Sequence, residues 1–139
     1  MQRTREFKNI GTVVTSKIML SDTTMSLFIP IETESDLIRA EREKFENWVL
    51  RDVKKENPDI NFDDCILNTE TDLYINTGCC DKNGRYEMYF SIGFIVCFMD
   101  ADGKEIYWDS SDGFEIELSE EDKAYLKKVM ALKIVDALF

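Results

Sequence analysis

The chain has 139 residues, enough for one domain with a real core, and carries 28 acidic against 17 basic residues for a net charge of −11. It contains no histidine, which excludes the usual neutral-pH general base, His-dependent nucleophilic triads and the commonest zinc ligand. Direct binding to a phosphate backbone is excluded by the lack of a basic footprint, and a membrane span by the lack of any apolar run of about 18 residues. The basic start, MQRTREFKNI, is followed by no apolar stretch, so no secretory signal is read there and a cytoplasmic location is expected.

In chain order, residues 11–31 read as a hairpin. Val13, Val14, Ile18, Met19 and Leu20 form a β-prone stretch, residues 21–24 (SDTT) supply a turn, and MSLFIPI follows. Pro30 suits an edge or a strand end. A helix is predicted over 36–56, with Ser35 as N-cap and Asp36 at its positive end. Ile38, Phe45, Trp48, Val49 and Val53 supply its packing stripe, and Pro58 stops it.

From residue 64 to 118 the pattern is β. Cys65–Leu67 and Asp72–Cys80 are strand candidates, with 69–71 open between turn and strand. Over 85–99 every even position from Tyr86 to Phe98 is apolar. One face of that strand is therefore buried, and the odd face is wet at Tyr89 and expected to be covered towards Ile95, Cys97 and Met99. Two turns share the pattern D-x-[ND]-G-[RK], at 81–85 and 100–104. Each fits either a type I turn with a glycine bulge or a two-residue turn. Shorter strands follow at 105–108 and 114–118. The last helix starts at Ser119-Glu120-Glu121-Asp122 and packs through Leu126, Val129, Met130, Ile134, Ala137 and Leu138. The whole is read as one α+β domain over 1–139, an antiparallel meander with a central and a C-terminal helix packed on it, in the order ββ-α-ββββ-α.

Chemistry-bearing patterns are few. Cys79 and Cys80 are neighbours in a strand and point to opposite faces; with Cys65 and Cys97 they show no C-x-x-C spacing, so they read as small buried hydrophobes. Asp100-Ala101-Asp102-Gly103 looks like the middle of a calcium loop, but the first ligand position would fall on Phe98. Asp100, Asp102, Asp109 and Asp112 would hold a divalent cation only weakly, and only if their loops converge. No carboxylate pair is singled out as catalytic, no phosphate-binding glycine loop occurs, and no cofactor or metal is expected.

Charge carries the functional lead. Residues 86–122 hold eleven acids and a single base, Lys104. Asp109, Asp112, Glu115, Glu117, Glu120, Glu121 and Asp122 are expected to form a rim at one corner, with Tyr107 and Trp108 as anchors for a basic partner protein. In size, acidity and lack of histidine the chain resembles the small inhibitors carried by phages and other mobile elements, anti-CRISPR proteins among them, and the immunity proteins that neutralise nuclease toxins. The resemblance implies a non-enzymatic protein that blocks a nuclease or effector complex by placing carboxylates where phosphates sit. Two other readings are a homo-oligomer built on a sheet edge or on the Tyr89/Ile95/Cys97 face, and a small-molecule binder or carboxylate enzyme with a pocket between sheet and helix.

Overall fold

The structure, a computed structural model, describes residues 3–20, 27–80, 86–111 and 113–138, with the side chains at 20, 77–80, 86–88 and 130–138 left aside. The elements are β1 (Arg5–Phe7), β2 (Gly11–Val13), β3 (Met19–Leu20), β4 (Leu27–Glu34), α1 (Asp36–Glu56), β5 (Ile66–Cys80), β6 (Tyr86–Met99), β7 (Glu105–Ser110), β8 (Phe114–Glu115) and α2 (Glu120–Leu138). The strands form one antiparallel sheet in the order β1-β2-β4-β5-β6-β7, with β3 also on β4 and β8 also on β6. This is the expected α+β meander with its two helices.

The sheet is organised by the β5–β6 ladder, which runs from Ile66↔Met99 to Cys80↔Tyr86. Strand alternation sends Leu73, Ile75, Phe90, Ile92, Phe94, Val96 and Phe98 to one side, where all are buried. Both helices cover that side. Ile38 and Leu126 join the larger core cluster with Leu27, Ile29 and Phe7, while Val49 and Val53 close a second one over Val96 and Phe98.

Helix α1 begins and ends as its residues dictate. The Ile38 N–H donates to Ser35 Oγ, and the Asn57 N–H and Nδ2 both donate to the Val53 carbonyl ahead of Pro58. Trp48 departs from the expected stripe: it is 46% exposed. At 100° per residue it sits about 80° round from Ile38, at the rim of the stripe, and rests on Phe45. Arg42 fixes the helix laterally, with Nε 2.8 Å from both oxygens of Glu34 at the end of β4 and Nη1 2.6 Å from Glu46. Thr71 Oγ1 of β5 donates to the same Glu34 carboxylate at 3.1 Å.

Several boundaries differ from expectation. The first hairpin is interrupted by a 3-10 turn at Thr15–Lys17, so β2 and β3 meet different parts of β4. Strand β1, three residues long, gives too few positions for a period of two to show. The 66–80 segment is one continuous strand through Thr69–Thr71. Beyond Glu115 the expected strand becomes irregular, although Ile116 and Leu118 still alternate inward. The 100–104 turn takes the glycine-bulge form: Gly103 has φ +81°, its N–H donates to the Asp100 carbonyl, and Asp100 Oδ1 accepts from the Asp102 and Lys104 N–H groups. The matching turn at 81–85, and the turn at 21–24, lie outside the described residues.

Removing the Arg42 guanidinium leaves the half-buried Glu34 and Glu46 facing each other without a cation. We expect Arg42→Met to cost about 1–3 kcal/mol in urea unfolding, against less than about 0.5 kcal/mol for Lys44→Met on the exposed face.

Candidate functional site

With both helices on one side, the outward positions of β4–β8 form a second face on which neither helix packs. On β6 these are Tyr89, Ser91, Gly93, Ile95, Cys97 and Met99. Opposite them stand Asn76, Tyr74, Asp72, Glu70, Asn68 and Ile66 of β5 and, on the other edge, Glu115 against Ser91, Ser110 against Ile95, Trp108 against Cys97 and Glu105 against Met99. The expected covering of Ile95, Cys97 and Met99 is therefore corrected. They are only half-buried, by their cross-strand neighbours, because helix packing uses the even-numbered face alone.

Trp108 is 62% exposed on this face, and Tyr89 and Ile66 are exposed as well. Tyr74 is held. It stacks on Phe28 with centroids 5.9 Å apart, and its ring lies across Gly93, where a Cβ would come within 2.6 Å of Tyr74 Cε2. Between Tyr74 and Trp108 runs a groove of about 420 Å³ floored by Gly93 and Ile95 and edged by Ser91 and Ser110. The break between β7 and β8 along β6 is closed by Ser111, whose N–H and Oγ pair with the Phe94 carbonyl and N–H, both at 2.9 Å.

Asp72 is the unusual member. It is 2% exposed, and its buried Oδ1 has no hydrogen-bond partner among the described residues. Its cross-strand neighbours are Pro30, which has no N–H, and Gly93, which has no side chain. Burial, with Glu70 nearby, pushes its carboxyl up to about 7. Burial, then Asp72 and Glu70, also raises the Tyr74 phenol, which stays neutral. Cys97 is raised by burial and by Glu105, so it is a thiol rather than a thiolate. Cys65 is half-buried, and the side chains of Cys79 and Cys80 lie outside the described set.

The expected rim of acids is not one surface. Glu115 and Trp108 belong to the open face. Tyr107 points the other way: its ring packs edge-on to Phe98 at 6.1 Å, and its hydroxyl donates to Asp109, which is half-buried on the same inner side. The chain then passes beneath the sheet through Ile116 and Leu118. Glu117 thereby reaches Asn9 and Asp36, and Glu120 and Glu121 reach β1 beside Arg5 and Lys8. Asp122 is buried. It accepts from the Lys8 N–H at 3.0 Å and meets Arg5 at 3.5 Å, so it ties α2 to the β1–β2 turn. Asp112 lies outside the described residues. Among those described, no three acids or thiols gather as metal ligands, and no helix is long and apolar enough to cross a membrane.

What unites the open face is charge. Its outward positions include Glu70, Asp72, Glu105 and Glu115, and strands β4–β8 as a whole contain eight acids and no lysine or arginine, of which Glu34 pairs with Arg42, Glu32 with Arg3, and Asp109 faces inward. The helices are each balanced, six acids with six bases in α1 and four with four in α2. A second, polar cleft of about 750 Å³ opens where β4 and β5 diverge past Pro30; of its four acids, Glu34 and Glu46 are engaged by Arg42 and Glu32 lies 3.7 Å from Arg3, which leaves Glu70 shared with the open face. No protein-family model matches the chain, and no curated protein or solved structure matches it.

Two measurements test this geometry. Because Asp72 binds its proton more tightly folded than unfolded, its contribution to stability is full below pH ~4 and declines as pH rises towards 7. Relative to Asp72→Asn, the wild type should lose roughly 2–4 kcal/mol between pH 4 and pH 8 in urea unfolding; parallel curves refute the buried acid. Gly93→Ala should destabilise by about 1–3 kcal/mol through its clash with the Tyr74 ring, and Gly93→Ala/Tyr74→Leu should recover part of that loss.

Proposed function

We propose that this is a non-enzymatic binding protein that docks a basic partner protein on the uncovered face of its sheet. The observation that carries the reading is the pairing of a 62% exposed tryptophan with outward acids, Glu70, Glu105 and Glu115, on strands that contain no base. Exposed aromatics at the centre of a polar field are the usual energetic anchors of an interface, and one-signed charge around them speeds the encounter with an oppositely charged surface. The face is about four strands wide and ten residues long, on the order of 500–700 Å², close to what one side of a standard interface needs.

The sign of the field favours a hetero-partner over a second copy. A two-fold contact through this face sets the patch that holds Glu70, Glu105 and Glu115 against an identical acidic patch. A protein whose basic groove serves nucleic acid, such as a nuclease or effector complex, offers the complementary surface, and occupying that groove inhibits it. A reducing, cytoplasmic setting belongs to the same reading, since Cys65 and Cys97 are free thiols.

The test is affinity capture from extracts of the source cells at about 50 and 300 mM salt. The baits are the wild type, the triple variant Glu70→Lys/Glu105→Lys/Glu115→Lys, and a control, Lys127→Glu/Lys128→Glu, on α2. The reading expects a basic protein held by the wild type and the control and lost at least about tenfold from the triple variant or at the higher salt. Capture that is indifferent to the triple reversal sinks it.

A further inference from the structure

The groove on the open face has a more specific chemistry than its charge alone. Its Tyr74 wall is already ordered, stacked on Phe28 and seated over Gly93. Its other wall, Trp108, presents a largely bare indole. Tyr74 stands opposite Ser91 and Trp108 opposite Cys97, so the two rings rise from backbones about 10 Å apart across β6 and about 20 Å apart along it, at the two ends of the groove. Glu70, opposite Ile95, and Glu115, opposite Ser91, set negative charge on both flanks, and Ser91 and Ser110 put hydroxyl oxygens at the edge. Flat aromatic walls, hydroxyl acceptors and a negative field describe a receptor for a planar cation.

Resting on the acidic-face reading above, we infer that this groove is an arginine slot, which takes the guanidinium of an extended, arginine-bearing segment of the basic partner. A guanidinium is planar and weakly hydrated, so it stacks on the bare Trp108 indole with Ser110 near, or at the other end of the groove on Tyr74 with Ser91 near, and an extended segment can fill both ends. A lysine ammonium is compact and strongly hydrated; it gains from the field but not from the walls. The slot therefore separates arginine from lysine at equal charge, which the acidic field by itself does not.

The experiment uses two fluorescently labelled nine-residue peptides of equal charge, all-arginine and all-lysine, followed by anisotropy at about 0.1 M salt. In parallel, unlabelled peptide is titrated against Trp48→Phe protein, in which Trp108 is the only tryptophan. The slot predicts that the arginine peptide binds at least about five times more tightly, with a change in Trp108 emission that the lysine peptide does not produce. It also predicts that Trp108→Leu brings the two affinities to within about twofold. Equal, salt-sensitive binding of both peptides to the wild type overturns the slot and leaves the acidic face standing. An arginine preference that survives both Trp108→Leu and Tyr74→Leu also overturns the slot. Failure of both peptides to bind overturns the slot and the acidic face together.

Discussion

Everything in this fold hangs on the alternation along the β5–β6 ladder. A fourteen-residue strand with an aromatic or branched apolar side chain at nearly every inward position commits one face of the sheet to burial. That face holds space for two helices and receives both. The same period of two puts whatever lies between those residues on the opposite side. The outward set is therefore not an independent choice of surface. It is the remainder of a strand whose inward half is fully used, and neither α1 nor α2 covers it.

Charge divides along the same line. Each helix balances its acids and bases, partly in pairs such as Arg39 with Asp36 and Arg42 with Glu46. The strands do not: β4–β8 hold acids only. The acidity of the molecule is thus a property of one layer, at a fixed distance from aromatic groups in the same layer. That arrangement gives direction to a field that net charge alone leaves undirected.

Much of this was legible in the sequence, and the limits have physical causes. The α1 boundaries followed from Ser35 and Pro58, because caps and stops are local. The buried face of β6 followed from period. Trp108 and Glu115 were identified, but as part of a corner continuing to Asp122. That continuation failed because adjacency along the chain carries no information about where the chain passes under a sheet. Ile116 and Leu118 dive beneath it, and the acids after them emerge beside Arg5 and Lys8. Tyr107 and Trp108 are neighbours, yet one faces Phe98 and the other solvent; alternation, applied to β7 as it was to β6, separates them. Asp72 was invisible, since nothing local marks a carboxylate whose two cross-strand partners are a proline and a glycine.

One account of the open face is protection alone, since acids on exposed strands discourage wrong pairing. That account fits edges, where unpaired N–H and C=O groups invite another chain. It does not fit Asp72. At that position strand β5 is interior to the sheet, paired with Pro30 of β4 on one side and with Gly93 of β6 on the other. A carboxyl there guards no edge, and a buried one without a partner lowers stability whenever it is charged. Neither packing nor solubility requires an acid at Asp72, where asparagine would fill the same volume without the penalty. A buried, unpartnered carboxyl and a bare tryptophan stand on the same face, neither required by the packing of the sheet, and on the function proposed above a cationic partner is what that face would receive.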